Sequence, residues 1–383
     1  MRVTLGAPGR MIPPAAKAIE FARKAEADGF DAMWWPCHLM GWIPDSLWTE
    51  DMTPLAKYQE NPHIHLEPLM MMGAAGAATE RIDVGVSVTD TLRRHPAVLA
   101  QAALTADHLS RGRAILGLGA GERMNVTPYG IEWARPVGHL EEALEVMRLL
   151  WSTDAPVDYS GDFFHLQDAV LGLRPYEGVP PRVWLAAHGP RMLRLAGRFA
   201  DGWLPTNILP EVYAEKLAAI HRSAEDNGRD PEKITPSMLA YVLCAPDAET
   251  LRRMCESPMV RLLFAAVDLP PETYARHGSI SPFEGGTGFH SFMPTTVGRA
   301  EAERIIGHIP AGIVREHTLC GTPEMIVEQI EAYRQAGLRD VVLWNITPFG
   351  DASMAGYSFE AMREIVRLTR AASGDDDGRA RRE

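Results

Sequence analysis

The feature that most constrains this chain is a repeated unit: an amphipathic helical stretch, a glycine, then a short apolar strand. It occurs at residues 15–28, Gly29 and 30–35, at 191–201, Gly202 and 203–205, and at 323–336, Gly337 and 338–344. A variant runs through residues 96–111, Gly112 and 114–118. Glycine just past a helix accepts the left-handed conformation that ends it, and the strand then turns back into the core. The strand segments 84–88, 114–118, 183–187 and 341–344 are continuous apolar runs, as expected of parallel strands covered on both faces. The helices are one-sided: Leu140, Leu144, Met147 and Trp151 recur at helical spacing, with Glu141, Glu142, Glu145 and Arg148 between them.

Alternating strands and helices of this kind leave a closed barrel or an open doubly wound sheet. The number of units, a length of 383 residues and an apolar content of 46% favour the barrel. The expected fold is α/β, a (β/α)8 TIM barrel in one domain over residues 1–372. Two regions break the rhythm. Residues 37–65 are long and carry Met40, Trp42, Trp48 and several prolines, and residues 246–310 contain a loose run at 279–288. Long irregular excursions in a compact domain usually serve as lids or binding loops, so 246–310 is expected to be an insertion or lid. Residues 373–383, rich in Asp, Gly and Arg, are expected to be a disordered tail.

A net charge of −12 argues against nucleic acid, which needs a basic face to displace counterions from phosphate. No apolar run approaches the roughly 18 residues that span a bilayer. The N-terminal residues read as a strand without a signal-like leader. The four cysteines lack CxxC spacing and fit free thiols in a reducing compartment. These features together lead to the expectation of a cytoplasmic protein.

Polar residues gather where strands end, which is where a barrel builds its active site. His38 follows the strand that ends in Trp34 and Trp35, and could exchange a proton near neutral pH. Thr89 and Asp90 follow the run 84–88, ahead of Arg93 and Arg94. In Gly117-Leu118-Gly119-Ala120-Gly121-Glu122 the glycines alternate, unlike a dinucleotide fingerprint. They clear one face of a strand for something flat, and Glu122 and Asn125 follow directly. At Ala187-His188-Gly189-Pro190-Arg191 a strand gives way to a helix whose free N–H groups could meet an anion. The pair His63 and His65 has no third ligand nearby, so no metal site is expected. No GxSxG elbow supports a hydrolase.

At these residues the chain resembles the luciferase-like flavin and deazaflavin oxidoreductases over nearly its whole length, and especially their F420-dependent members. Residues 111–123 are similar to the family's fourth strand, and residues 94–98 to the helix start after its third. Residues 128–133, 186–194 and 228–231 look like the phthiodiolone ketoreductase branch. The resemblance implies an oxidoreductase that moves a hydride between coenzyme F420 and a carbonyl or secondary alcohol. The substrate it implies is a small-molecule or lipid ketone, and the assembly a homodimer. It places a non-proline cis peptide at Ser87–Val88, behind the deazaflavin ring. It gives His38, Glu122 and Trp42 catalytic roles. It gives Cys37, Ser87, Val88, Thr89, Asp90, Asn125, Ala187, His188, Gly189, Pro190, Arg191 and Thr206 to the coenzyme. One departure stands out: dehydrogenase relatives carry an Asp-His pair where this chain has Cys37-His38. The sugar-phosphate lysine of one relative falls at Leu209, which disfavours a sugar phosphate. The alternatives are an FMN-dependent monooxygenase and a non-catalytic F420-binding protein.

Overall fold

The computed structural model describes residues 2–283 and 288–372. The tail expected at 373–383, and residues 284–287 of the loose run, lie outside the described residues. Eight parallel strands close on one another. They are β1 (Thr4–Pro8), β2 (Ala32–Trp35), β3 (Asp83–Val86), β5 (Ala114–Gly119), β8 (Arg182–Leu185), β9 (Gly202–Trp203), β10 (Thr235–Cys244) and β12 (Asp340–Asn345), the last pairing back onto β1. The two-residue β4 (Thr89–Asp90) continues the line of β3 along β5. A short β11 (Leu319–Gly321) extends the C-terminal end of β10. An antiparallel hairpin, β6 (Val157–Ser160) with β7 (His165–Ala169), is a separate two-stranded sheet. The expected (β/α)8 barrel is the observed one. The strand β10, which the pattern of repeats did not single out, completes it.

Helices α1 (Ala15–Asp28), α2 (Pro68–Ala78), α3 (Pro96–Ser110), α4 (Pro136–Ser152), α5 (Pro190–Phe199) and α6 (Pro210–Asp226) lie in sequence between the barrel strands. Gly29 and Gly337 take the left-handed conformation expected of helix stops, with φ of 90° and 106°. Gly202 does not. Helix α5 ends at Phe199, and Gly202 lies in β9, where a Cβ would fall 2.5 Å from the Trp184 ring. Its role is close approach rather than capping. Trp34 and Trp184 fill the barrel interior with Ile115, Leu204, Leu239 and Val342, their ring centroids 5.0 Å apart.

Between β10 and β11 the chain makes six short helices: α7 (Ala248–Glu256), α8 (Pro258–Leu263), α9 (Pro271–Arg276), α10 (Gly288–Ser291), α11 (Arg299–Gly307) and α12 (Ala311–Glu316). They build a second core around Phe264, Leu269, Tyr274, Phe292 and Ile305, against which Trp42, Tyr241 and Trp344 pack. The chain closes with α13 (Pro323–Gln335), α14 (Thr347–Gly350) and α15 (Ala355–Ala372). Among the described residues no helix is long and apolar enough to cross a membrane.

Candidate active site

The Ser87–Val88 peptide is cis, where the resemblance placed it. It separates β3 from β4, so the chain bulges over the end of β5. The space that Gly117 and Gly119 clear is taken by this bulge. A Cβ on Gly117 would fall 1.9 Å from the Val86 carbonyl oxygen, and one on Gly119 would fall 2.9 Å from Val88 Cγ2. What lies against these glycines is therefore the bulge itself, its backbone at Gly117 and the Val88 side chain at Gly119.

Asn125 organises the other side of the mouth. Its Oδ1 accepts from the backbone N–H of Leu39 at 2.7 Å and of Met40 at 2.9 Å. That fixes the amide orientation, so Nδ2 is the donor towards His38 Nδ1 at 3.1 Å and Glu122 Oε2 at 2.8 Å. His38 Nδ1 is then an acceptor, and its ring proton sits on Nε2. Burial, with the Arg93 charge second, pulls the His38 pKa down to about 4. The ring is neutral at pH 7.

Burial pushes the Glu122 carboxyl up to about 7, with the charge of Asp90 adding to it. Hydrogen bonds from Asn125 and Trp42 and the nearby Arg93 work the other way. A carboxyl poised near neutrality can both give and take a proton. Trp42, whose indole can only donate, also stacks on Phe292 at 5.4 Å with the planes 9° apart. Trp42 thus joins Glu122 to the insertion.

Cys37 follows β2, where the resemblance would put an aspartate. Arg93 Nη2 approaches its Sγ at 3.2 Å and its carbonyl oxygen at 2.9 Å, and Arg94 Nη1 approaches Sγ at 3.5 Å. Arg93 is also paired with Asp90 at 2.5 Å, both side chains nearly buried. Arg94 reaches Thr89 Oγ1 at 3.0 Å and Glu67 at 2.6 Å. With the two guanidinium groups already held by other partners, the soft sulfur stands where a further carboxylate would have been the strongest acceptor.

The anion turn is built differently from the sequence reading. His188 Nε2 accepts from the Thr206 N–H at 3.3 Å, and the His188 carbonyl takes Lys216 Nζ at 2.5 Å. Arg191 turns onto Glu141 at 3.0 Å, on the outer face. Lys216 is thus a basic group at the turn that sequence reasoning missed, because α6 carries it from far along the chain. Ala187 is buried, while Gly189 and Pro190 leave the N-terminus of α5 without a side-chain cap.

His63 and His65 separate. His63 Nδ1 accepts the Gly41 N–H at 3.1 Å. The His65 ring lies 5.4 Å from that of His38, and burial brings its pKa to about 4. Among the described residues no cluster of three or more His, Cys, Asp or Glu could hold a metal. Ser87 Oγ, Asn207 Nδ2 and His317 Nε2 are among the buried side-chain atoms that make no hydrogen bond among the described residues. Ser87 lies on the bulge, Asn207 follows Thr206 beyond β9, and His317 Nδ1 bonds the Asn207 carbonyl at 3.0 Å. A heterocycle edged with carbonyl and N–H groups and resting on the bulge would find a partner in Ser87 Oγ.

Comparison with known proteins places this architecture. The luciferase-like monooxygenase family matches residues 2–340. A phthiodiolone/phenolphthiodiolone dimycocerosates ketoreductase of Mycobacterium bovis is 38% identical over 339 residues, covering 87% of this chain and 88% of that protein. An F420-dependent glucose-6-phosphate dehydrogenase of Microbacterium testaceum is 34% identical over 238 residues, covering 61% of this chain and 65% of that one. Among solved structures, an F420-dependent secondary alcohol dehydrogenase in complex with an F420-acetone adduct superposes with a TM-score of 0.75 at 23% identity. That match covers 97% of this chain and all of the other. The F420-dependent tetrahydromethanopterin reductase of Methanopyrus kandleri gives 0.72 at 20% identity, covering 96% of this chain and all of that one. The match along most of its length shows that this chain belongs to the luciferase-like monooxygenase family.

Proposed function

We propose that this chain is an F420-dependent oxidoreductase that interconverts a ketone and a secondary alcohol on an apolar, lipid-like molecule. The observation that carries the reading is the Asn125-centred network, which sets a carboxyl of pKa about 7 beside an imidazole held as an Nε2–H donor. The F420-dependent relatives and the ketoreductase support the coenzyme and the reaction class. Ser87, Val88 and Thr89 would hold one edge of the coenzyme, and His188, Gly189, Pro190 and Thr206, backed by Lys216, its anionic arm. When bound in its reduced form, F420 supplies a hydride.

The chain's own residues do the rest. His38 Nε2–H holds the substrate oxygen, and Glu122 gives it a proton as negative charge develops there. Trp42 keeps Glu122 in place and shields it from water. Cys37 and Asp90 act on Arg93, which stays charged because its neighbours more than offset the cost of its burial. The segment 246–310 acts as a cover, because Phe292 packs on Trp42 and the insertion core meets the barrel at Tyr241 and Trp344. The resemblance supports a homodimer, and the free thiols of all four cysteines support a cytoplasmic location. The test is anaerobic mixing with reduced F420 and a panel of long-chain ketones. Oxidation of the coenzyme with formation of the secondary alcohol supports the reading. Oxidation of reduced FMN with oxygen consumption, and none of F420, rejects it.

A further inference from the structure

The Asn125 network sits on one side of the barrel mouth, and a second polar group faces the same space from β10. Ala240 and Val242 pack outwards with the helices, while Leu239 and Tyr241 alternate inwards. On the neighbouring strand Val342 and Trp344 do the same, and Tyr241 pairs in register with Trp344. Trp344 is the last inward side chain of β12, and on β10 only Leu243 lies beyond Tyr241 in the same alternation. Tyr241 and Trp344 both join the barrel interior, which Val88 also borders, and both join the core of the insertion.

The Tyr241 ring is locked at this seam. Its backbone N–H bonds Asn207 Oδ1 at 2.8 Å, and its ring meets Phe264 edge-on at 5.6 Å. Tyr241 is only half-buried, and its hydroxyl makes no hydrogen bond among the described residues, so it stays open to a ligand. Burial keeps the hydroxyl protonated, and the Glu122 carboxylate pushes its pKa the same way. It is therefore a fixed donor that senses Glu122 across the mouth.

We propose that the Tyr241 hydroxyl is a specificity-determining group that donates a hydrogen bond to the substrate oxygen, so that the mouth selects oxygenated chains over plain hydrocarbon. This deepens the ketone-alcohol reading and rests on it. The group transfers nothing itself: the proton still comes from Glu122.

The test measures binding of two probes to the full-length protein by calorimetry, a long-chain methyl ketone and the alkane of the same length. It compares wild type with Tyr241→Phe. The ratio of the two affinities isolates the oxygen, and a change in folding or packing affects both probes alike. The ketone preference should fall about tenfold in Tyr241→Phe, the size of one lost hydrogen bond. An unchanged ratio overturns the proposal alone. Failure of wild type to bind either probe overturns the proposal together with the apolar-substrate reading. Oxidation of reduced F420 by wild type with a small polar ketone then shows whether the hydride-transfer reading survives.

Discussion

The Asn125 carboxamide donates to His38 Nδ1 at 3.1 Å while its oxygen accepts the N–H groups of Leu39 and Met40. One side chain thereby sets both the course of the loop after β2 and the tautomer of the histidine. Replacing Asn125 with alanine should remove both. The two backbone donors lose their acceptor, at a cost of about 1–3 kcal/mol in stability. Urea unfolding checks the loss, and ketone turnover should fall further than it does in a variant of equal stability altered elsewhere.

Glu122→Gln should lower turnover by about 10²- to 10⁴-fold, the usual contribution of a general acid, with F420 affinity within a few-fold of wild type. A fluorescence titration and a steady-state assay separate the two. In wild type, ketone reduction needs the protonated carboxyl. Its rate should fall as pH rises through about 7, while alcohol oxidation rises over the same range. His38 stays neutral throughout this window.

The same carboxyl makes a stability prediction. Its folded pKa is raised above the unfolded value, so its contribution is fully present below about pH 4.3 and is lost as pH climbs through about 7. Glu122→Gln should therefore raise Tm at pH 8, by up to about 3 kcal/mol in stability, and the gain should vanish near pH 4. Thermal melts at the two pH values decide it.

Gly117→Ala would drive a Cβ into the Val86 carbonyl, and Gly119→Ala would meet only the Val88 methyl. The first should fail to give a stable barrel. The second should fold but displace Val88 and weaken F420 binding at least about tenfold, as expected where a preorganised contact is lost. Circular dichroism and a coenzyme titration on both variants check this pair.

Much of the barrel was legible because its signal is local. Buried parallel strands read as unbroken apolar runs, and Gly29 and Gly337 mark helix ends wherever they occur. Gly202 misled because a close approach to Trp184 and a helix stop both call for glycine. The site was legible only residue by residue. His38, Glu122 and Asn125 stand at strand ends, but that Asn125 joins the other two depends on a contact made across the barrel. Lys216 and Tyr241 lay hidden for the same reason. His65 read as half of an extended pair, and only the fold turns it towards His38.

Removing the phenyl ring of Phe292 should unstack Trp42 and loosen the cover over Glu122. Phe292→Ala should lower kcat/KM for a long-chain ketone about tenfold, in line with the loss of one stacked aromatic contact, and leave F420 affinity unchanged. Steady-state kinetics and a coenzyme titration test it.

The most direct measurement follows a deuterium label. Reduced F420 carrying deuterium at its hydride position is mixed with the protein and a long-chain ketone without oxygen, and the alcohol is examined by mass spectrometry. The account predicts one deuterium on the carbinol carbon in wild type, and little or no product with Glu122→Gln. An unlabelled alcohol, or turnover that needs FMN and oxygen, would contradict it.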